Sequence, residues 1–322
     1  MSILITGSSG MLGSAILRKI KGISFFKEKT ILSPDRKELN LESQNEVLDY
    51  FKNHKIDLVF HAAAKVGGIK ANIDFPADFI TQNLLINSNI FEASRQFNIS
   101  KLLFFGSSCI YPKDSKVPIE ESSLMKGELE ETNYAYSISK IAAITQCNKY
   151  AEQYGCDFRV LMPTNLYGIN DNYKKNNSHV IPALISKFYD GVNNSKKEIK
   201  IWGTGNAVRE FLHVDDLASA SFKIIDLHQT EYKNLLSSHK VTHINVGSAE
   251  EINIYDLCSL LKKISNYEGQ LTFDNSYPDG VMRKTLNSKI INSIGWKPKI
   301  KLRDGLEDAY RWYCSNFPNI RQ

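Results

Sequence analysis

The sequence predicts an α/β protein: a doubly wound parallel sheet with helices on both faces, joined to a smaller substrate-binding lobe of mixed α/β character. Three observations predict it. Short apolar runs alternate with helix-like stretches through the first half of the chain, the pattern of successive βαβ units. A glycine-rich turn stands between the first apolar run and the first helical stretch. Beyond residue 166 the alternation gives way to polar insertions and short elements.

Taken in order, residues 1–6 (MSILIT) form the first buried strand, and residues 13–20 the helix that follows. Residues 30–33, 58–62 (LVFHA) and 102–106 (LLFFG) are further strands, with a helix over 80–97. Residues 134–154 read as a long helix: Ile138, Ile141, Ala142, Ile144 and Thr145 fall near helical spacing, and Gly155 is a stop signal. Residues 158–162 are another strand, ended by Pro163. Residues 170–178 and 190–198 are polar and read as loops that build a substrate-binding region. The sheet domain is therefore expected over 1–166, with 208–247 returning to it, and the lobe over 167–207 and 248–322. Open parallel sheets bind ligands outside the carboxyl ends of their strands, so functional groups are expected there.

Composition narrows the function. The net charge of +5, from 40 basic and 35 acidic residues, is too small an excess to argue for nucleic acid. It either helps attract an anionic nucleotide or reflects a Lys-rich solvated surface. The N-terminus runs straight into the first strand without a basic leader or small-residue cleavage site, so no signal peptide is expected. No apolar run reaches the roughly 18 residues that span a bilayer. Five cysteines (Cys109, Cys147, Cys156, Cys258 and Cys314) are dispersed without a C-x-x-C pair. That argues for reduced thiols in the cytoplasm, not for a disulfide frame or a metal site.

Gly7-Ser8-Ser9-Gly10-Met11-Leu12-Gly13 is G-x-x-G-x-x-G placed between a strand and a helix. Glycines there permit a tight turn and let backbone N–H groups approach a pyrophosphate at the helix N-terminus; the alternative is a plain βα turn. The spacing differs from the classical G-x-G-x-x-G, and it is the placement between a strand and a helix that points to a dinucleotide site on a Rossmann-type sheet. The second strand leads to Asp35 and Arg36. An acidic residue there suits a ribose 2′-hydroxyl and an arginine suits a 2′-phosphate, so the cofactor is read as NADP(H). Leu12, not a basic residue, precedes the third glycine, and the preference for NADP rests on Arg36. Ala62 and Ala63 are small enough for the backbone to lie along the dinucleotide, and His61 is expected to pack behind it.

Tyr136-Ser137-Ile138-Ser139-Lys140 is Y-x-x-x-K, which on a helix puts phenol and ammonium on one face. A neighbouring cation lowers a phenol's pKa from about 10 and fits it for proton exchange with a sugar oxygen. Upstream, Ser107 follows Gly106 at the carboxyl end of a strand, where its hydroxyl can meet the same oxygen.

These residues resemble the extended short-chain dehydrogenase/reductases. Further segments are more similar still to the GDP-L-fucose synthases, a family of 3,5-epimerase-4-reductases: Ala64-Lys65-Val66-Gly67-Gly68-Ile69, Phe75-Pro76-Ala77-Asp78-Phe79, Gly106-Ser107-Ser108-Cys109-Ile110-Tyr111-Pro112, Met162-Pro163-Thr164-Asn165-Leu166-Tyr167-Gly168, Asn177-Ser178-His179-Val180-Ile181-Pro182-Ala183 and Arg209-Glu210-Phe211-Leu212-His213-Val214-Asp215-Asp216. The resemblance spans nearly the whole chain and is densest over 60–216. It implies hydride delivery from NADPH to C4 of a GDP-linked keto sugar. Tyr136 would be the proton donor to O4, Lys140 would hold the nicotinamide ribose, and Ser107 would orient the keto oxygen. It implies Cys109 and His179 as the acid/base pair of epimerisation, with His179, Pro163, Asn165 and Leu166 beside the cofactor. Ser108, Asn165, Lys187, Trp202, Arg209 and Asp279 would contact the sugar nucleotide. It also implies a homodimer built on a four-helix bundle.

Plainer readings stand beside these. Cys109 can be a small buried hydrophobe, His179 a structural hydrogen-bonding residue and Trp202 a core residue. His213 is read as structural and the pair Asp215-Asp216 as a helix cap. Two rival activities remain. One is C4 reduction of a GDP-4-keto-heptose derivative without epimerisation. The other is an NAD-dependent nucleotide-sugar 4-epimerase or dehydratase.

Overall fold

The computed structural model describes residues 2–26, 28–174, 178–276 and 279–320. Strands β1 (Ser2–Thr6), β2 (Thr30–Leu32), β3 (Leu58–His61), β4 (Lys101–Phe105) and β5 (Phe158–Pro163) lie side by side with β9 (Ile244–Val246) in a parallel sheet of order β2-β1-β3-β4-β5-β9. Strands β1, β3 and β4 are largely continuous apolar runs because both faces of the sheet are covered. Ile3, Leu4, Ile5, Leu102, Leu103 and Phe104 are all inaccessible to solvent.

Helix α1 (Met11–Lys21) packs on one face beside α7 (Val214–Asp226). On the other face lie α2 (Gln44–Asn53), α4 (Pro76–Gln96) and α5 (Tyr134–Tyr154); the short α3 (Ile69–Asp74) precedes α4. Helix α4 starts four residues before the sequence pattern places it (76 against 80), because Pro76 sits at its first turn, where a missing N–H costs nothing. Helix α5 runs over the expected residues and stops at Gly155, whose φ of +72° lies in the left-handed region.

The smaller lobe is built on β8 (Val208–His213), which pairs with β6 (Asn165–Tyr167), β10 (Glu251–Asn253) and β12 (Arg283–Lys284). A second pair, β7 (Glu198–Trp202) with β11 (Gln270–Asp274), and helices α6 (Val180–Asn193), α9 (Ile254–Ser265) and α11 (Leu302–Asn316) close its core. Helix α8 (Gln229–His239) flanks the central sheet through buried Tyr232, and α10 (Lys289–Ser293) packs against β9.

Several sequence expectations are corrected. The chain returns to the sheet domain at Val214, not at residue 208, because β8 is the hub of the lobe's own sheet. The first crossing falls after Pro163, since β6 pairs with β8. Ile290, Ile291 and Trp296 belong to the sheet domain's core, so the segment after 248 is not wholly in the lobe. The loop expected over 190–198 starts late, because α6 continues to Asn193 and packs Gly191 tightly against Ile199 and Tyr267. The Asp pair does not cap α7: His213 accepts the Asp215 N–H at 3.3 Å, Asp215 pairs with Arg18 at 2.6 Å, and Asp216 accepts N–H bonds from Lys299 and Ile300. Within the polar stretch 170–178, Lys175, Asn176 and Asn177 lie outside the described residues.

Candidate active site

A cleft of about 720 Å³ opens at the carboxyl ends of β1 to β5, between the two lobes. Its deep end is the glycine turn. Gly7 has φ +68°, and a Cβ there would come within 2.8 Å of Ala63 N and Cα. A Cβ on Gly13 would strike the Gly7 carbonyl, so strand and helix approach too closely for any side chain. The first turn of α1 carries neither a side-chain cap nor an acidic residue. Its free N–H groups and the positive end of the helix dipole therefore face the cleft.

Gly7, Gly10, Met11, Leu12, Gly13, Arg36, Ala62, Ala63, Ser107, Ser108, Tyr136, Lys140, Pro163, Asn165, Leu166 and His179 all line this one cleft. The loop after β6 folds over the turn, with Asn170 donating to Ser9 O at 3.0 Å. Arg36 is mostly exposed and paired with Glu42 at 2.5 Å. Behind the alanines, Thr6 Oγ1 bonds His61 Nδ1 at 2.8 Å and Asn87 Oδ1 bonds its Nε2 at 3.0 Å. Burial holds His61 neutral, with its pKa lowered to about 3.

Ser107 stands where β4 ends, at the start of a 3-10 turn over Ser108–Ile110. Ser137 Oγ donates to the Cys109 carbonyl at 3.1 Å and ties that turn to α5. Tyr136 and Lys140 project from one face of α5, with the ammonium 5.8 Å from the phenol ring centroid. The expected acidification of the phenol is not found. Burial raises the Tyr136 pKa well above the ordinary value; the Cys109 thiol adds to that rise, and the Ser107 hydroxyl opposes it. Lys140 spends a hydrogen bond on the Phe105 carbonyl at 2.9 Å, and burial lowers its own pKa to about 8. The partly buried phenol is thus held in its neutral, protonated form.

Cys109 is buried immediately behind this wall and does not itself line the cleft. His179 precedes α6 on the lobe side, open to the cleft, and the surrounding protein lowers its pKa by desolvation.

Lys187, Trp202, Arg209 and Asp279 form a separate group on the lobe. Lys187 lies 5.4 Å over the Trp202 ring, Arg209 donates to the Asp279 carbonyl at 3.0 Å, and the Asp279 carboxylate accepts from Thr204 N and Oγ1 at 2.8 and 2.6 Å. Trp202 is 50% exposed and is not a core residue. Phe211, two residues along β8 from Arg209, lines the cleft and joins the groups. Sequence reasoning missed Lys284, paired in register with Arg209 and electrostatically coupled to both Arg209 and Cys109; burial lowers its pKa. It belongs to a two-residue strand with no periodicity, so nothing in the sequence separated it from a solvated lysine.

The model of the NAD dependent epimerase/dehydratase family matches residues 3–247. GDP-L-fucose synthase of Escherichia coli (strain K12) is 44% identical over 99% of this chain and 98% of its own. The chain belongs to the GDP-L-fucose synthase family. Solved structures similar to this member include a GDP-6-OMe-4-keto-L-xylo-heptose reductase from C. jejuni, with TM-score 0.89 and 33% identity over 98% of each chain. A GDP-mannoheptose C4 reductase from Campylobacter jejuni with NADP bound has TM-score 0.86 and 35% identity over 97% of this chain and 98% of that one. Among the described residues of this family member, no helix is long and apolar enough to cross a membrane, and no cluster of His, Cys, Asp and Glu could hold a metal.

Proposed function

We propose that the protein reduces the C4 carbonyl of a GDP-linked 4-keto sugar with NADPH and epimerises C3 and C5 of that sugar. The observation that carries this reading is the convergence of Ser107, Tyr136 and Lys140 on the cleft that the glycine turn also lines. The turn fits a dinucleotide: its uncapped helix start suits a pyrophosphate, and Arg36 suits the 2′-phosphate. Ala62 and Ala63 lie along the dinucleotide; Lys140, Pro163, Asn165, Leu166 and His179 hold the nicotinamide end. When bound, NADPH supplies hydride to C4.

Ser107 orients the keto oxygen, and Tyr136 gives its proton to that oxygen. The keto group acidifies the protons on C3 and C5; His179, which lines the cleft on the lobe side, and Cys109, buried immediately behind the wall that Ser107 and Ser108 line, are the groups proposed to exchange them. The Ser107 and Tyr136 hydroxyls stabilise the enolate oxygen. On the lobe, the Trp202 face receives the guanine, Lys187 and Asp279 bind beside it, and Arg209 with Lys284 brings positive charge to the diphosphate. Ser108 contacts the sugar. The protein acts as a cytoplasmic homodimer with α4 and α5 at the interface, and needs no nucleic acid or membrane.

The deciding experiment is NADPH consumption against a panel of GDP-4-keto sugars, with the products identified by NMR. Absence of consumption with every sugar overturns the reductase and favours an NAD-dependent 4-epimerase or dehydratase. A second reading, C4 reduction of a GDP-4-keto-heptose without epimerisation, draws support from the two heptose reductases of similar structure. Solvent deuterium distinguishes them: label at C3 and C5 of the product supports epimerisation, and reduction without label supports the second reading.

A further inference from the structure

One buried carboxylate takes no part in the chemistry above, yet it touches three segments through which the chain passes between lobes. Glu210 lies on β8 between Arg209, of the nucleotide group, and Phe211, of the cleft, and is inaccessible to solvent. Its side chain accepts from Ala249 N–H at 2.7 Å and from Leu286 N–H at 2.9 Å. Its backbone carbonyl accepts from Asn165 Nδ2 at 2.9 Å and Thr164 Oγ1 at 3.3 Å. Thr164 follows β5, Ala249 follows β9 and Leu286 precedes α10, so a single residue gathers the exits from two strands of the central sheet and the return to it. Gly247 fits against the carboxylate so closely that a Cβ there would collide with it, and the Gly247 N–H is held by Ser288 Oγ at 2.8 Å.

An ionised carboxylate can satisfy two independent donors because both its oxygens accept, whereas an amide turns one of them into a donor. Burial raises the Glu210 pKa and the N–H bonds oppose that rise. The residue therefore acts as a pin whose loss frees the junction without removing any group that meets a ligand.

We propose that Glu210 is a positioning residue that fixes the register between the lobe that anchors the sugar nucleotide and the crevice that carries Tyr136. This rests on the function proposed above. Each lobe keeps its own binding groups when the pin is lost; what changes is where the sugar lands relative to the phenol, and a displacement of about 1 Å can cost about a hundredfold in rate.

The test is Glu210→Gln in the full chain. GDP affinity is measured by calorimetry, NADPH affinity by fluorescence, and kcat is expressed per binding-competent site. The expected result is near-wild-type affinity for GDP and for NADPH, with kcat per site down by about tenfold or more. A merely structural role would lower the melting temperature and the fraction of competent sites and leave kcat per site unchanged; that result overturns the proposal. So does a loss of GDP or NADPH affinity in step with kcat, which would place the effect inside one lobe. Ser288→Ala loosens the same junction more gently and decides the matter if Glu210→Gln does not fold: the same signature, at about threefold for one lost hydrogen bond, is expected, and its absence overturns the proposal. Wild-type turnover with unaltered kcat in the variants sinks the positioning role alone; no wild-type turnover sinks the function and the positioning role together.

Discussion

At the scale of single residues, the site depends on two neighbours on α5 whose ionisation burial shifts in opposite senses. Tyr136 is held protonated, so Tyr136→Phe removes the proposed proton donor without emptying the crevice. Its kcat should fall by about 10²–10⁴-fold with NADPH affinity, read by fluorescence, little changed. Lys140, lowered to about 8, loses its charge within an accessible pH range. The kcat/KM profile should decline as pH rises through about 8, and Lys140→Arg should move that limb upward. The same shift has a consequence for stability. An unfolded lysine titrates near 10.4, above the folded value of about 8. Between the two the unfolded chain binds more protons, and stability rises with pH. Denaturant titrations at pH values in that window should show the rise in the wild type and its loss in Lys140→Met. The Y-x-x-x-K spacing made both residues legible in the sequence, but the sign of the phenol's shift was not. Packing of the phenol against Phe79 and beside Ser107 and Cys109 is a tertiary property that no local pattern encodes.

At the scale of elements, the glycine turn is the part where geometry leaves least freedom. Gly13→Ala would drive a methyl group into the Gly7 carbonyl, forcing α1 away from β1. NADPH affinity measured by fluorescence should fall by at least about tenfold, and the protein should lose about 1–3 kcal/mol of stability from overpacking, measured by denaturant unfolding. Unchanged affinity would remove the turn from the cofactor site. This turn, α5 and the apolar strands were legible because each follows from a local rule: glycine spacing, helical periodicity with an αL stop, and continuous apolar runs. Other features were not. The end of α6 was hidden because Asp190, Gly191 and Asn193 are poor helix formers, held in place by Tyr267 and Ile199 from elsewhere in the chain. Glu210 and Lys284 were equally silent, since their roles exist only once β8 has met β6 and β12.

At the scale of the whole molecule, the proposed dimer makes a further expectation. Leu85 on α4 is 43% exposed, and Tyr154 at the end of α5 is 51% exposed, apolar surface suited to a second copy of the pair. Leu85→Glu should shift sedimentation towards the monomer, whereas a wild type that sediments as a monomer at micromolar concentration would rule the interface out. The order of the lobes along the chain has its own consequence. Because the polypeptide leaves the sheet domain after Pro163, after Val246 and again before Leu302, and returns to it at Val214 and near Ser288, the lobe is not a cassette. An engineer grafting it onto a related scaffold to alter sugar preference would have to splice at all of these points together, and carry the seam around Glu210 intact.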